Sequence, residues 1–181
     1  MNIRTSFLVA TLLPLLATAQ DKYATRNGEI SFFSHTAVED IDAVNHKATS
    51  VLDAATGAIE FAVLIKGFEF EKALMQEHFN ENYMESNTYP KATFKGKVAG
   101  VTAEQLKTAA TYEVTVSGEL TIHGVAKPVS SKGTLVSDGK GAVKASSDFI
   151  VKPADHGIKV PGGVNVAEEI QVKVRIDYQK L

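Results

Sequence analysis

Twelve successive positions of strict apolar/polar alternation constrain this chain more than any other feature. From Thr111 to Ile122 the even positions are Tyr112, Val114, Val116, Gly118, Leu120 and Ile122. The odd positions are Thr111, Glu113, Thr115, Ser117, Glu119 and Thr121. A β-strand points successive side chains to opposite faces, so this stretch has one dry and one wet face. Val164–Tyr178 repeats the pattern, with Val166, Ile170, Val172, Val174, Ile176 and Tyr178 opposing Glu169, Gln171, Lys173, Arg175 and Asp177. Glu168 is the exception on the apolar side and is placed near the strand's start.

Shorter runs of the same kind predict six more strands: Glu29–Ser34, Lys47–Asp53, Ala58–Lys66, Ala92–Val101, Ala126–Ser137 and Ala142–Val151. Ala54–Gly57 and the Asp138-Gly139-Lys140-Gly141 turn join neighbours as hairpins. One segment has a different period. Glu71–Glu85 places Leu74, His78 and Tyr83 on one stripe, with Met75, Phe79 and Asn82 beside it and Glu71, Glu77, Glu81 and Glu85 outside, and it predicts a short amphipathic helix. Thr102–Lys107 predicts a single turn begun by an N-cap threonine. Eight long antiparallel strands would leave exposed edges in an open sheet, and closure removes them. The expected fold is therefore all-β: a single eight-stranded antiparallel barrel with one helix over it.

The N-terminus reads separately. Met1–Arg4 carries a positive charge, Phe7–Leu16 is an apolar run broken by Thr11 and Pro14, and Ala17-Thr18-Ala19 fits a small-x-small cleavage site. Residues 1–19 are expected to be a cleaved signal peptide and residues 20–181 the barrel domain, giving an exported protein, periplasmic or secreted. Only Arg4 leaves with the leader, so 18 basic residues face 21 acidic ones, a net charge of −3. That balance provides no electrostatic footprint for nucleic acid. No later run reaches the roughly 18 apolar residues of a membrane-spanning helix. Cysteine is absent, which excludes disulfides, thiol catalysis, thiolate metal sites and a lipidated cysteine.

What the barrel encloses depends on its inward residues. Val129, Ser131, Gly133 and Leu135 share a face, as do Val143, Ala145, Ser147, Phe149 and Val151, and Gly118 interrupts the dry face of Thr111–Ile122. Small residues at such positions leave volume that Val, Ile or Leu would otherwise fill. Spacing alone leaves a hollow barrel and a filled one both open. If it is hollow, the expected apolar lining is Phe61, Val63, Ile65, Phe79, Tyr83, Phe94, Val114, Val116 and Phe149, with Val172 and Val174 completing the channel. His123 lies in the Thr121–Gly124 bend, where it either caps backbone groups or contacts a ligand headgroup at the barrel mouth.

Other chemistry has little support. His35, His46, His78, His123 and His156 are scattered; His78 and Glu81 are spaced to share a metal, but no second ligand pair accompanies them. No G-x-S-x-G elbow, P-loop or dinucleotide fingerprint occurs. Lys159–Gly163 lacks the strand-to-helix setting of a phosphate loop and reads as a turn. Glu168 and Glu169 point to opposite faces and cannot work together as acid and base. No enzyme activity, metal or cofactor is expected.

Two segments carry a family resemblance: Asn82–Gly96 (NYMESNTYPKATFKG) and Gly118–Val129 (GELTIHGVAKPV). With strand order and length, they make the chain resemble the YceI-like lipid/polyisoprenoid-binding family over nearly all of residues 20–181. The resemblance implies a lipocalin-like barrel that holds a long isoprenoid or amphiphile and performs no chemistry. Gly28–His35 stands where the family often has an Asp-Pro-x-His-Ser segment. Ser146–Ile150 stands where a late Arg-x-x-Phe-Gly element is usual. The chain is thus a divergent member. The function this implies is sequestering or carrying an apolar or amphiphilic ligand, an isoprenoid or other lipid. The competing expectations are a ligand-free periplasmic stress-response or interaction module with a filled barrel, and a hydrolase or metal protein using His78 or His123. Oligomeric state and delivery partner are not encoded in any motif.

Overall fold

The computed structural model describes residues 21–160 and 166–181. Its strands are β1 Lys22–His35, β2 Asp40–Asp53, β3 Ala58–Leu64, the two-residue β4 Glu69–Phe70, β5 Lys91–Ala99, β6 Ala109–Ile122, β7 Val125–Asp138, β8 Ala142–Val151 and β9 Ile170–Lys180. All pairings are antiparallel, and the order β1-β9-β8-β7-β6-β5-β3-β2 closes when β2 pairs back onto β1. This is the eight-stranded barrel that the alternation predicts; β4 adds a short flap on β2 at Ala43 and Val44. The predicted signal peptide falls on residues 1–19, outside the described residues.

Element boundaries differ from those expected of the sequence for identifiable reasons. β9 begins at Ile170 rather than Val164, so Glu168 precedes the strand and breaks no alternation; Val164 itself lies outside the described residues. β1 starts seven residues earlier than expected. Register shifts on both sides of Gly28 put its two halves out of phase, so the first half carries no continuous period-two signal. β2 begins at Asp40, seven residues before the expected Lys47; its early inward positions are Ala43 and Asn45, small and polar side chains that do not read as a dry face. Both are buried. The Asn45 amide nitrogen donates to the Leu64 carbonyl at 3.0 Å, and its oxygen accepts from the Lys47 amide at 2.8 Å, so its burial leaves neither group unsatisfied.

The barrel is solid at one end. Tyr23, Leu52, Ala54, Ile59, Val98, Leu106, Val114, Leu135, Val143, Ile176 and Tyr178 form its buried cluster. The loop after β5 carries a single 3-10 turn, Gln105–Lys107, which tucks Leu106 beneath the strands. Its start is a reciprocal cap: the Thr102 amide donates to Gln105 Oε1 at 2.9 Å, and the Gln105 amide donates to Thr102 Oγ1 at 3.3 Å. Tyr178 is fully buried; its hydroxyl lies 2.6 Å from Ser50 Oγ, which donates onward to the Glu60 carbonyl at 2.8 Å.

Burial holds the Tyr178 phenol well above its ordinary value, because ionisation would place a charge in this apolar end. A raised folded-state value means stability is complete below about pH 10, where an unfolded tyrosine titrates, and declines as pH rises past it. Tyr178→Phe is accordingly expected to cost about 1 kcal/mol at pH 8 by removing the hydrogen bond, yet to flatten the fall in denaturation midpoint between pH 10 and 11.5. An equal alkaline loss in both proteins would show that Tyr178 does not contribute to it.

The helix segment is shorter and differently phased than predicted. α1 spans Ala73–His78 and continues as a π-helical turn, Phe79–Tyr83, in which the Met84 amide donates to the Phe79 carbonyl at 2.9 Å. The extra residue of that i to i+5 turn changes the helical phase across the segment. The inward stripe is Met75, Phe79 and Tyr83, four residues apart, with Met84 beside it, so Leu74, one position before Met75, is 61 % exposed instead of belonging to that stripe.

Candidate functional site

Toward the end covered by α1 the barrel is hollow. A cavity of about 360 Å³ runs from the solid end up to the helix, with walls of almost entirely apolar side chains. Its lower wall is Ile59, Val98, Val114 and Leu135, which also belong to the buried cluster. Its sides come from the inward registers of β1, β3, β5, β6, β7, β8 and β9. Phe61, Val63, Ile65, Phe94, Val114, Val116 and Phe149 all line it, and Phe79 and Tyr83 line it from the helical segment. The structure thus brings the nine predicted residues onto one surface.

The convergence of these side chains is a matter of register. Phe61 pairs with Phe94, Phe94 with Leu120, Val98 with Val116, and Val116 with Ser131, so each cross-strand step keeps the same face inward. The Phe61 and Phe94 rings meet edge-on with centroids 6.3 Å apart. The volume does not come from the glycines. A Cβ on Gly118 would run into the Lys95 carbonyl oxygen and stand 2.5 Å from Gly96 Cα and 2.8 Å from Phe94 Cζ. Gly96 and Gly118 are cross-strand partners, and together they make a shelf filled by the Phe94 ring. A Cβ on Gly133 would lie 2.6 Å from the Ser146 carbonyl oxygen. The expectation that Gly118 and Gly133 leave unfilled volume is therefore corrected: they permit close approach of backbone.

An aromatic cluster closes one side of the mouth. Phe32 of β1 and Phe79 contact each other, and each contacts Phe68 and the β4 residue Phe70, with ring centroids 5.0 to 5.8 Å apart. All four line the cavity. Phe32, Phe68 and Phe70 are absent from the predicted lining, because the 3-10 turn Ile65–Gly67 ends the readable alternation of β3 just before two of them. Below the helix, Met84 packs with Ile65 and Ile158.

Polar groups are few. Glu39 and His78 stand at the rim, and Lys72 holds Glu39 at 3.2 Å. His123 is not among the cavity-lining residues. It occupies the two-residue turn between β6 and β7 with a left-handed backbone (φ 52°), followed by Gly124 at φ 74°. Its ring lies 4.3 Å from that of Tyr89, and its Nε2 is 3.2 Å from Glu85 Oε1. Glu85 is also left-handed (φ 43°) and ends the helical segment. His123 thus ties the helix end to the β6–β7 turn. His78 and Glu81 gain no further ligand: among the described residues no group of three or more His, Asp or Glu gathers in metal-binding geometry. No described helix is long and apolar enough to cross a membrane.

A closed antiparallel barrel with an apolar interior, solid at one end and covered by a helix at the other, has the architecture of lipocalin-like binding proteins. The chain belongs to the YceI-like family: the model of the YceI-like domain matches residues 21–178. It is 33% identical over 104 residues to a UPF0312 protein of Pseudomonas putida strain W619, a match covering 55% of this chain and 50% of that protein. The chain thus spans about half the length of the curated relatives it matches. Among solved structures it is similar to a polyisoprenoid binding domain from Saccharophagus degradans implicated in plant cell wall breakdown (TM-score 0.73, 13% identity, 90% of this chain and 99% of that one). Burkholderia cenocepacia BcnA is also similar (TM-score 0.70, 19% identity, 83% and 95%). So is a Campylobacter jejuni YCEI protein (TM-score 0.59, 14% identity, 99% and 94%). At these identities the structural likeness speaks to the fold.

Proposed function

We propose that this protein binds one apolar or amphiphilic molecule, an isoprenoid or other lipid chain, within the barrel and that it does so as an exported carrier. The observation that carries this reading is the hollow itself. Its volume falls within the range of about 300–1,000 Å³ typical of small-molecule sites. Leaving so much apolar space vacant in a protein interior costs several kcal/mol, a large part of a domain's net stability. A hydrocarbon chain in that space recovers the lost contacts and leaves water, at about 0.8 kcal/mol per buried methylene. Phe61, Phe94, Val114, Val116 and Phe149 provide the walls, and Phe79 and Tyr83 the cover. The polyisoprenoid-binding description of the Saccharophagus domain supports the ligand class, and the leader-like residues 1–19 support export.

Native mass spectrometry of protein purified without detergent is the direct test. The expected spectrum shows a lipid-sized adduct that disappears on organic extraction, on a chain starting at Gln20. An adduct-free protein that also fails to bind dodecanol or a fluorescent fatty-acid probe would overturn the reading.

A further inference from the structure

The barrel wall has a split that closure does not require. β7 pairs with β6 along its whole length, and β8 pairs with β9 along its whole length. β7 and β8, however, pair only between Gly133–Ser137 and Val143–Ser147. Toward the mouth, Val125–Lys132 of β7 and Asp148–Val151 of β8 run on as strands with no ladder between them. Side chains tie off the ladder where it ends. Ser131 Oγ lies 2.9 Å from Ser147 Oγ, Ser147 Oγ donates to the Lys132 carbonyl at 2.9 Å, and Thr134 Oγ1 lies 2.6 Å from Ser146 Oγ.

The sequence is adapted to this split. Pro128 has no N–H to offer a ladder, and proline within sheets belongs to edge strands. Over the upper part of the gap lies a 3-10 turn, Pro153–His156, anchored by His156 Nδ1, which donates to the Val125 carbonyl at 3.0 Å. The split opens to a second, outer pocket of about 260 Å³, and Leu120, Val129 and Val151 belong to the walls of both pockets. The two volumes are therefore neighbours through one layer of side chains.

The outer pocket is polar where the inner one is not. Its charged groups are Lys127, Lys152, Asp155 and Glu169, with His156 beside them. Lys152 is already engaged: Glu169 lies 3.0 Å away and, with Asp155 nearby, holds its ammonium above the usual lysine range. Lys127 is not engaged, since no carboxylate stands within ion-pair distance of it among the described residues. By register Lys127 shares a face of β7 with Val129, Ser131, Gly133 and Leu135, the face that lines the interior further down, and it pairs with inward-facing Leu120. It is a cation with three N–H donors at the boundary between an apolar channel and solvent.

We propose that the β7–β8 split is where the polar end of the cavity's ligand emerges and that Lys127 receives it. The ligand is then an amphiphile ending in an oxyanion, a phosphate ester or a carboxylate. This rests on the proposal that the barrel holds an apolar chain, and adds to it the chemistry and position of the head.

Dodecanol and dodecyl phosphate share one chain and differ only in the head, so their binding to the full barrel separates the two claims. The wild type is expected to prefer dodecyl phosphate by roughly tenfold, the size of one charge-assisted hydrogen bond. Lys127→Gln is expected to remove that preference while leaving dodecanol affinity unchanged. Lys132→Gln, on the same strand edge but the opposite face, is expected to keep it. Binding of dodecanol with no preference for the phosphate, or a preference that survives Lys127→Gln or is lost equally in Lys132→Gln, would overturn the head site and leave the apolar reading standing. Binding of neither compound would overturn both. Displacement of dodecyl phosphate by millimolar inorganic phosphate would identify a site for a free anion and overturn the assignment to a ligand's head.

Discussion

Val116→Trp is expected to weaken binding of a dodecyl chain on the order of a hundredfold while leaving the fold intact. Val116 lines the cavity midway along β6, where it is only partly buried and faces open volume. An indole there would occupy space that roughly three or four methylenes would otherwise fill, each contributing about 0.8 kcal/mol. The summed loss of about 3 kcal/mol corresponds to that hundredfold change. Because the ring grows into a hollow, the melting temperature is expected to move by no more than about 3 °C. In a filled core the same substitution would overpack and destabilise. Titration with a fluorescent fatty-acid probe, paired with a thermal melt, reads both quantities. A large fall in melting temperature with unaltered affinity would show that the volume at Val116 is neither open nor used.

Gly118→Val is expected to act oppositely, lowering the melting temperature by about 10–15 °C. No side chain fits there without parting β5 from β6, because the Lys95 carbonyl and Gly96 Cα stand in the way. Backbone yields far less readily than a side-chain tip, so the cost falls at about 3–5 kcal/mol, at the upper end of single substitutions. For a barrel of this size each kcal/mol lowers the midpoint by about 2–4 °C. Phe94→Ala in the same chain removes the ring over the glycine shelf but not the carbonyl, so it is expected to restore only a minor part of the loss. A wild-type melt for Gly118→Val would show that the strands have slack at this crossing.

The contrast between neighbouring Val116 and Gly118 marks how far the linear pattern reaches. Both sit on the even face of β6, and alternation places both inward. It does not distinguish a position that opens onto space from one pressed against the next strand. The same limit appears at the helical segment, where Phe79 and Tyr83 face the barrel as their apolar character implies, but their stripe runs through Met75 and leaves Leu74 outward. Two adjacent apolar residues, Leu74 and Met75, fit an amphipathic stripe about equally well, and only packing against the barrel selects one of them. The first halves of β1 and β2 are hidden for a related reason. Register shifts around Gly28 and a buried, fully hydrogen-bonded Asn45 interrupt the dry face without interrupting the strand.

Long-range assembly is least visible in the sequence. The Phe32, Phe68, Phe70 and Phe79 cluster draws on separate segments. Pro128 and Lys127 stand in the segment that carries the family resemblance; Pro128 marks an edge, but which neighbouring strand parts from it, β8 after Ser147, is set by the tertiary pairing.

The amino-acid sequence alone determines that this chain is an eight-stranded barrel with one helix and, along the strands whose alternation is unbroken, which side chains face inward. Period-two patterning and turn chemistry act within a few residues and are written directly along the chain. Only the tertiary structure decides that the interior is solid around Tyr178 and hollow beneath Phe79, and that the wall parts between β7 and β8. Those outcomes depend on which faces meet across the barrel and how closely their backbones approach. Both are properties of contacts between residues far apart in sequence, set by packing and register rather than by any local pattern.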